Sequence, residues 1–164
     1  GLLLWVKSVH GDGAGEMWRR LAPRVVTVTP GWSEAYGLFL NGEAYMVLSY
    51  TTSPAYHRIA EGDASKAAAV FAEGHYLQVE VAGRLAASDQ PDLAARFLHF
   101  MLSDAFQSQI PTTNWMYPAV LPDGGLPEGF ETLAQPGISL LYTPAEAADL
   151  RDAALSDWRN ALAR

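Results

Sequence analysis

The stretch "AYMVLSYTTSPAYH" (residues 44–57) decides how the chain folds. Residues 44–50 form an almost unbroken apolar run, as expected of a strand buried on both faces of a sheet. Thr51 and Thr52 then lead into Ser53-Pro54, which reads as an N-cap followed by a proline at the first position of a short helix over 54–60. A buried strand running straight into a helix is the unit of an α/β architecture. Two tyrosines mark its edges, Tyr50 at the end of the strand and Tyr56 one turn into the helix.

The same alternation extends in both directions. Upstream, "RVVTVTP" (24–30) reads as a β-branched strand stopped by Pro30. "GWSEAYGLFL" (31–40) spaces Trp32, Tyr36, Phe39 and Leu40 as a helix does, with Asn41-Gly42 ending it. Downstream, "AAVFAEG" (68–74) and "HYLQVEVAG" (75–83) read as two strands around Gly74, a glycine able to absorb a change of dihedral angle between two lobes. "QPDLAARFLHFML" (90–102) is an amphipathic helix, "SDAFQSQIP" a second helix ended by Pro111, and 112–130 a long Pro/Gly-rich loop. In "TPAEAADL", Thr143, Pro144 and Glu146 form a capping box that opens a long C-terminal helix carrying Leu150, Ala154, Trp158 and Ala161 on one stripe. The expected organisation is a main region, 1–142, followed by a helix over 143–164.

Composition narrows the function. The 164 residues are 49% hydrophobic and 18% charged, which is globular, and the net charge of −7 argues against nucleic acid and is compatible with a cationic ligand. The absence of cysteine excludes a disulfide, a cysteine-ligated zinc or a cysteine nucleophile within these residues. No apolar run approaches the ~20 residues of a membrane helix, and no signal peptide is visible. The opening "GLLLWVKSVHG" reads as the inside of a buried helix, so the chain is expected to be part of a longer protein.

No catalytic or metal constellation emerges. His10, His57, His75 and His99 are scattered, with no pair at ligand spacing, and no nucleophile elbow, Walker loop or GxGxxG is present. The aromatic residues say more. Trp32, Tyr50, Tyr56 and Trp115 all fall at the ends of elements beside small polar residues. In a sheet with parallel strands, ligands collect at such ends, and the four together resemble a slot for a flat ring. Plain packing competes at each position: Trp32 shares a stripe with Tyr36 and Leu40, Tyr50 can close the sheet, and Tyr56 can staple its helix. Trp115, in a loop, is the hardest to explain as core.

"TPGWSEAYGLFLNGEAYMVLSYTTSPAYH", "FAEGHYLQVEV" and "IPTTNWMYP" resemble the periplasmic thiamine-binding proteins of bacterial ABC importers, in register over the whole chain but only with the C-terminal half of that family. The resemblance implies one lobe of a type II periplasmic-binding-protein-like fold, of α/β class, with a mixed sheet flanked by helices and a last helix packing toward an N-terminal lobe outside this chain. It implies a periplasmic solute-binding component, not an enzyme, that takes thiamine or its phosphate esters as transported ligand, uses no cofactor, and delivers to a membrane permease and ATPase. Trp32, Tyr50, Tyr56 and Trp115 match the family's ring contacts, and neither catalytic nor metal-ligating residues are expected. Because the other side of the cleft lies in the first lobe, these residues alone are expected to bind thiamine weakly or not at all. Two other readings share the architecture. A thiaminase-I-like enzyme needs a cysteine nucleophile, which would lie in the first lobe. A ferric-iron binder uses adjacent tyrosines, whereas Tyr50 and Tyr56 are five residues apart.

Overall fold

The computed structural model describes residues 1–162; the last two positions of the 143–164 segment lie outside the described residues. Two compact units divide the chain. The first gathers Gly1–Ser49, Val70–Gln78 and the C-terminal segment from Pro136; the second gathers Tyr50–Ala69 and Val79–Gln135. No described helix is long and apolar enough to cross a membrane.

In the first unit, helices α1 (Leu2–His10) and α2 (Ala14–Leu21) pack on the long α8 (Pro144–Leu162). Val6, Ala14 and Trp18 are buried where they meet, and Trp5, Met17 and Trp158 pack around them. The apolar opening of the chain is therefore a helix, as its sequence predicts, and the α8 stripe has its own cover: Ala154 is buried and Trp158 joins this cluster instead of standing in water. The capping box forms as expected. Thr143 Oγ1 accepts from the Glu146 backbone N–H at 3.3 Å, and the Glu146 carboxylate accepts from the Thr143 backbone N–H at 2.8 Å. Helix α3 (Trp32–Leu40) completes the helical part of this unit.

The sheet differs from the expectation. It is a parallel pair, β1 (His75–Tyr76) with β2 (Ser139–Leu140), in register His75 to Ser139 and Tyr76 to Leu140. β2 was not anticipated from sequence. Gly74 enters this pair with φ 93°, and a Cβ there would lie 2.7 Å from the Ile138 carbonyl oxygen, so only glycine fits. Its own carbonyl accepts the indole N–H of Trp5 at 2.8 Å.

The runs 24–30, 44–50 and 68–74, read as strands, and most of 75–83 are not strands among the described residues. Their composition is strand-like, yet a strand exists only through a neighbour that takes its backbone hydrogen bonds. The run 44–50 joins no sheet among the described residues, and Tyr45 is 95% exposed. The α/β class and the long last helix stand, with the sheet reduced to one parallel pair.

The second unit is built from short helices: α4 (Ser53–Ala60), α5 (Pro91–Met101), α6 (Asp104–Gln107) and α7 (Ile110–Thr113). Its core is the cluster Ala55, Phe130 and Leu133, with Trp115 and Leu126 against it. Two boundary readings are corrected. Thr52, not Ser53, is the N-cap of α4, so Pro54 is its second residue. Pro111 opens α7 instead of ending the preceding helix, because proline lacks only an N–H that the first turn leaves unpaired anyway. The buried Gln107 ties the unit together. Its amide donates to the Met101 carbonyl at 2.6 Å and accepts from the Val120 N–H at 3.1 Å. On α5, whose amphipathic pattern predicts one covered stripe of Leu93, Phe97, Phe100 and Met101, the first three are exposed and only Met101 is partly buried.

Candidate functional site

The ring wall of the second unit starts from the turn before α4. Tyr50 and Ser53 bond reciprocally: the Tyr50 N–H donates to Ser53 Oγ at 3.2 Å, and the Ser53 N–H donates to the Tyr50 carbonyl at 3.1 Å. This closes the Thr-Thr turn and sets Tyr50 at the mouth of the helix, its ring exposed. The helix then sorts its faces. Pro54, Ala55 and His57 point into the core and are buried, while Tyr56 faces outward, 39% exposed. Against it stands Trp115, with ring centroids 5.3 Å apart and planes at 78°. Edge-to-face contact is a preferred geometry for aromatic pairs, since the positive edge of one ring meets the negative face of the other.

Trp115 has an unusual backbone. It is the one described non-glycine residue with positive φ, at 55°. A tryptophan pays for the left-handed conformation, and such strain persists only where its surroundings impose it. The neighbours of Trp115 are pinned accordingly. Asn114 donates to Glu80 at 3.0 Å, the Thr52 hydroxyl meets Met116 Sδ at 3.7 Å, and the Tyr117 hydroxyl accepts from Gln135 at 2.6 Å. The indole is thereby turned onto the Ala55/Phe130/Leu133 core on one side and toward Tyr56 on another.

Trp32 belongs to the first unit. It is the first residue of α3, 52% exposed, and its indole N–H donates to the Leu48 carbonyl at 3.1 Å. Its ring lies 4.6 Å from that of Tyr36, tilted by 31°. Packing on Tyr36 is therefore present, as the helical spacing foretells, but the ring is not core. The structure thus brings Tyr50, Tyr56 and Trp115 into one unit and places Trp32 in the other.

Behind Tyr56 lies a pair that sequence reading passed over. His57 is fully buried, and its Nδ1 sits 2.6 Å from Glu61 Oε2. The His57 bond holds the Glu61 carboxyl below its ordinary range, with a further contribution from the Tyr56 hydroxyl. An ionised carboxylate only accepts, so Nδ1 carries the proton of this bond. In return, the hydrogen bond to Glu61 and its negative charge raise the phenol of Tyr56. The i, i+4 spacing of His57 and Glu61 on α4 was the available signal. Among the described residues, no group of three or more His, Asp or Glu is gathered as metal ligands.

Comparison with known proteins gives the chain's family. A family model described as "Bacterial extracellular solute-binding protein" matches residues 10–108. Over all 164 residues the chain is 59% identical to the thiamine-binding periplasmic protein of Salmonella typhimurium, covering 50% of it. The Escherichia coli protein of the same name is 59% identical, again over 50% of its length, and the one from Brucella abortus is 50% identical over 49%. A solved structure of a "Periplasmic thiamin binding protein" superposes with a TM-score of 0.94 at 59% identity, over 100% of this chain and 51% of that one. The chain spans about half the length of the curated relatives it matches. Matched over more than half its residues by the family model, the chain belongs to the bacterial extracellular solute-binding protein family.

Proposed function

We propose that this chain is the C-terminal lobe of a periplasmic thiamine-binding protein that serves an ABC importer. It takes thiamine or its phosphate esters as ligand without chemistry and hands the ligand to a membrane permease and its ATPase. The observation that carries this reading is the Tyr56–Trp115 pair, two rings held edge to face at the surface, one of them on a strained backbone. Thiamine has a cationic thiazolium and a flat aminopyrimidine, and a cation over an aromatic face gains about 0.5–2 kcal/mol. The net charge of −7 favours a cationic ligand over an anionic polymer.

Tyr50, Tyr56 and Trp115 are the second unit's proposed contacts, and Trp32 is that of the first. The remaining ring contacts and the phosphate donors are assigned to an N-terminal lobe of the same protein. The helix over 143–164 is assigned a second role, packing toward that lobe. Similarity over the whole chain to proteins named for thiamine binding supports the ligand.

The test is thiamine titration of the full-length protein, followed by tryptophan fluorescence, with Trp32→Ala and Trp115→Ala alongside. Each substitution is expected to weaken binding about tenfold or more, near 1.4 kcal/mol. Unchanged affinity in both removes the ring-wall reading. Residues 1–164 alone are expected to bind weakly or not at all by calorimetry, since the other lobe's contacts are assigned elsewhere. Release of a cleaved pyrimidine or thiazole product would move the protein to the enzymes.

A further inference from the structure

Trp115 stands where a helix ordinarily ends in glycine. Helix α7 runs Ile110–Thr113, Asn114 is its C-cap, and Trp115 follows at φ 55°. Positive φ just past a C-cap is the usual place for glycine, because a side chain there crowds the backbone. An indole on that backbone is held by something other than local preference. The main chain of Asn114 is fixed by α7, its N–H donating to the Ile110 carbonyl at 3.0 Å. Its side chain is fixed from elsewhere in the second unit: Nδ2 donates to Glu80 Oε2 at 3.0 Å, across 34 positions of sequence.

We propose that Glu80, acting through Asn114, is a positioning residue that keeps Trp115 in its strained turn and so presents the indole to the ligand. The proposal rests on the ligand reading above and extends it from the rings to what sets one of them. Trp115 itself lies against Ala55, Phe130 and Leu133, and after it Met116 Sδ meets the Thr52 hydroxyl at 3.7 Å. Apolar contact is non-directional, and a thioether is a weak acceptor. The Glu80–Asn114 bond has a carboxylate acceptor, which makes it stronger than a bond between neutral groups. It also acts on the peptide unit that leads directly into Trp115.

A return of Trp115 to negative φ would swing the indole out of its edge-to-face contact with Tyr56, now 5.3 Å between ring centroids. Held at positive φ, the indole has less freedom left to lose when a ligand stacks, which is how preorganisation raises affinity. Glu80 and Asn114 are both exposed, so neither side chain fills the core. What their bond contributes is orientation. The competing role for Glu80 is a direct pull of its charge on a cationic ligand. Glu80→Gln separates the two, since glutamine keeps an oxygen that accepts from Asn114 and loses the charge.

The experiment has two arms, both in the full-length protein, on wild type, Glu80→Ala, Glu80→Gln, Asn114→Ala and the Glu80→Ala/Asn114→Ala double variant. The first arm needs no ligand. It follows the indole N–H resonance of Trp115 by NMR, assigned by its loss in Trp115→Ala. The resonance shifts or broadens in Glu80→Ala and Asn114→Ala and keeps its wild-type position in Glu80→Gln, while melting temperatures stay at the wild-type value. The second arm is thiamine titration. Glu80→Ala and Asn114→Ala each weaken binding about three- to tenfold, the equivalent of one hydrogen bond. The double variant is no weaker than either single one, and Glu80→Gln restores affinity to within about twofold of wild type.

An unmoved indole resonance in Glu80→Ala overturns the proposal. So does thiamine affinity in Glu80→Ala within about twofold of wild type, or losses that add in the double variant. Glu80→Gln binding as weakly as Glu80→Ala overturns it in favour of the direct charge. If wild type itself takes no thiamine, the ligand reading fails, and the indole arm alone decides whether Glu80 sets Trp115.

Discussion

Trp18 in the first unit and the ring wall of the second are aromatic groups placed in opposite ways. In the first, Trp18 sits mid-helix at 2% exposure, surrounded by Val6, Ala14 and Trp158. Its backbone is ordinary α-helix and its neighbours are aliphatic or aromatic. In the second, Tyr50, Tyr56 and Trp115 lie at the ends of elements, keep part of each ring in solvent, and in Trp115 accept a backbone conformation that tryptophan avoids. A core ring is placed where local structure is cheapest. A ring that is strained, only partly buried and braced by polar neighbours is placed for something else. Trp5 belongs with Trp18 despite its indole hydrogen bond, because that bond ties α1 to the entry of β1.

The largest expected effect tests this contrast directly. Trp18→Ala empties the centre of the first unit's core and should cost about 3–5 kcal/mol of stability by urea denaturation. Trp115→Ala removes a partly buried ring at the edge of the second unit's core and should cost about 1–2 kcal/mol while weakening thiamine binding about tenfold. If Trp115→Ala destabilised as much as Trp18→Ala, the ring would be core and the contrast between Trp18 and the ring wall would collapse. Gly74→Ala comes next. Its Cβ would sit 2.7 Å from the Ile138 carbonyl on a backbone at φ 93°, and about 1–3 kcal/mol should be lost from the first unit. Protection of the Leu77 amide, which donates to the Leu140 carbonyl at 2.8 Å, should fall in hydrogen exchange.

Local signals in the sequence carried far, and pairwise ones did not. Helices α3, α5 and α8 are legible from apolar spacing and end signals, and the Thr143/Glu146 box is legible down to its hydrogen bonds. Strands were over-read. "AYMVLSY" has strand composition, but pairing depends on a second segment, and nothing local shows which segment is available. The short parallel strand at Ser139–Leu140 was missed for the same reason. At the ring wall, element-end placement pointed to Tyr50, Tyr56 and Trp115. The edge-on contact of Tyr56 with Trp115 joins residues 59 positions apart, and the positive φ of Trp115 follows from the pinning of its neighbours, so neither shows in a local window.

Acid titration refines the contrast further. In the first unit, the hydrogen bonds from the Thr143 hydroxyl and then its backbone hold the Glu146 carboxyl below its usual 4.5. In the second, Lys66 and Ser65 hold Asp63 well below its own usual value. A depressed carboxyl contributes fully above its unfolded pKa, and the contribution is lost as pH falls through the folded value. Stability should therefore drop as pH is lowered below 4.5. Thr143→Ala should remove about 1 kcal/mol at neutral pH and make that acid loss shallower, since part of it is already gone. A wild-type acid slope in Thr143→Ala would sink the assignment.

The smallest effect separates the two units' ion pairs. Lys7 and Asp157 join α1 to α8 at 3.3 Å, across elements distant in sequence, with Lys7 only 13% exposed. Lys66 and Asp63 approach to 2.6 Å but are three residues apart, and Lys66 is 26% exposed. Distance alone would make the second pair the stronger. Burial and reach argue the other way, because the first pair fastens two helices that unfolding must separate, while the second restrains only its own turn. In double-mutant cycles the Lys7–Asp157 coupling should reach about 0.5–1 kcal/mol and persist in raised salt, whereas the Lys66–Asp63 coupling should be smaller and fade as salt screens it. A larger coupling for Lys66–Asp63 would mean that contact distance outweighs the packing of α1 on α8.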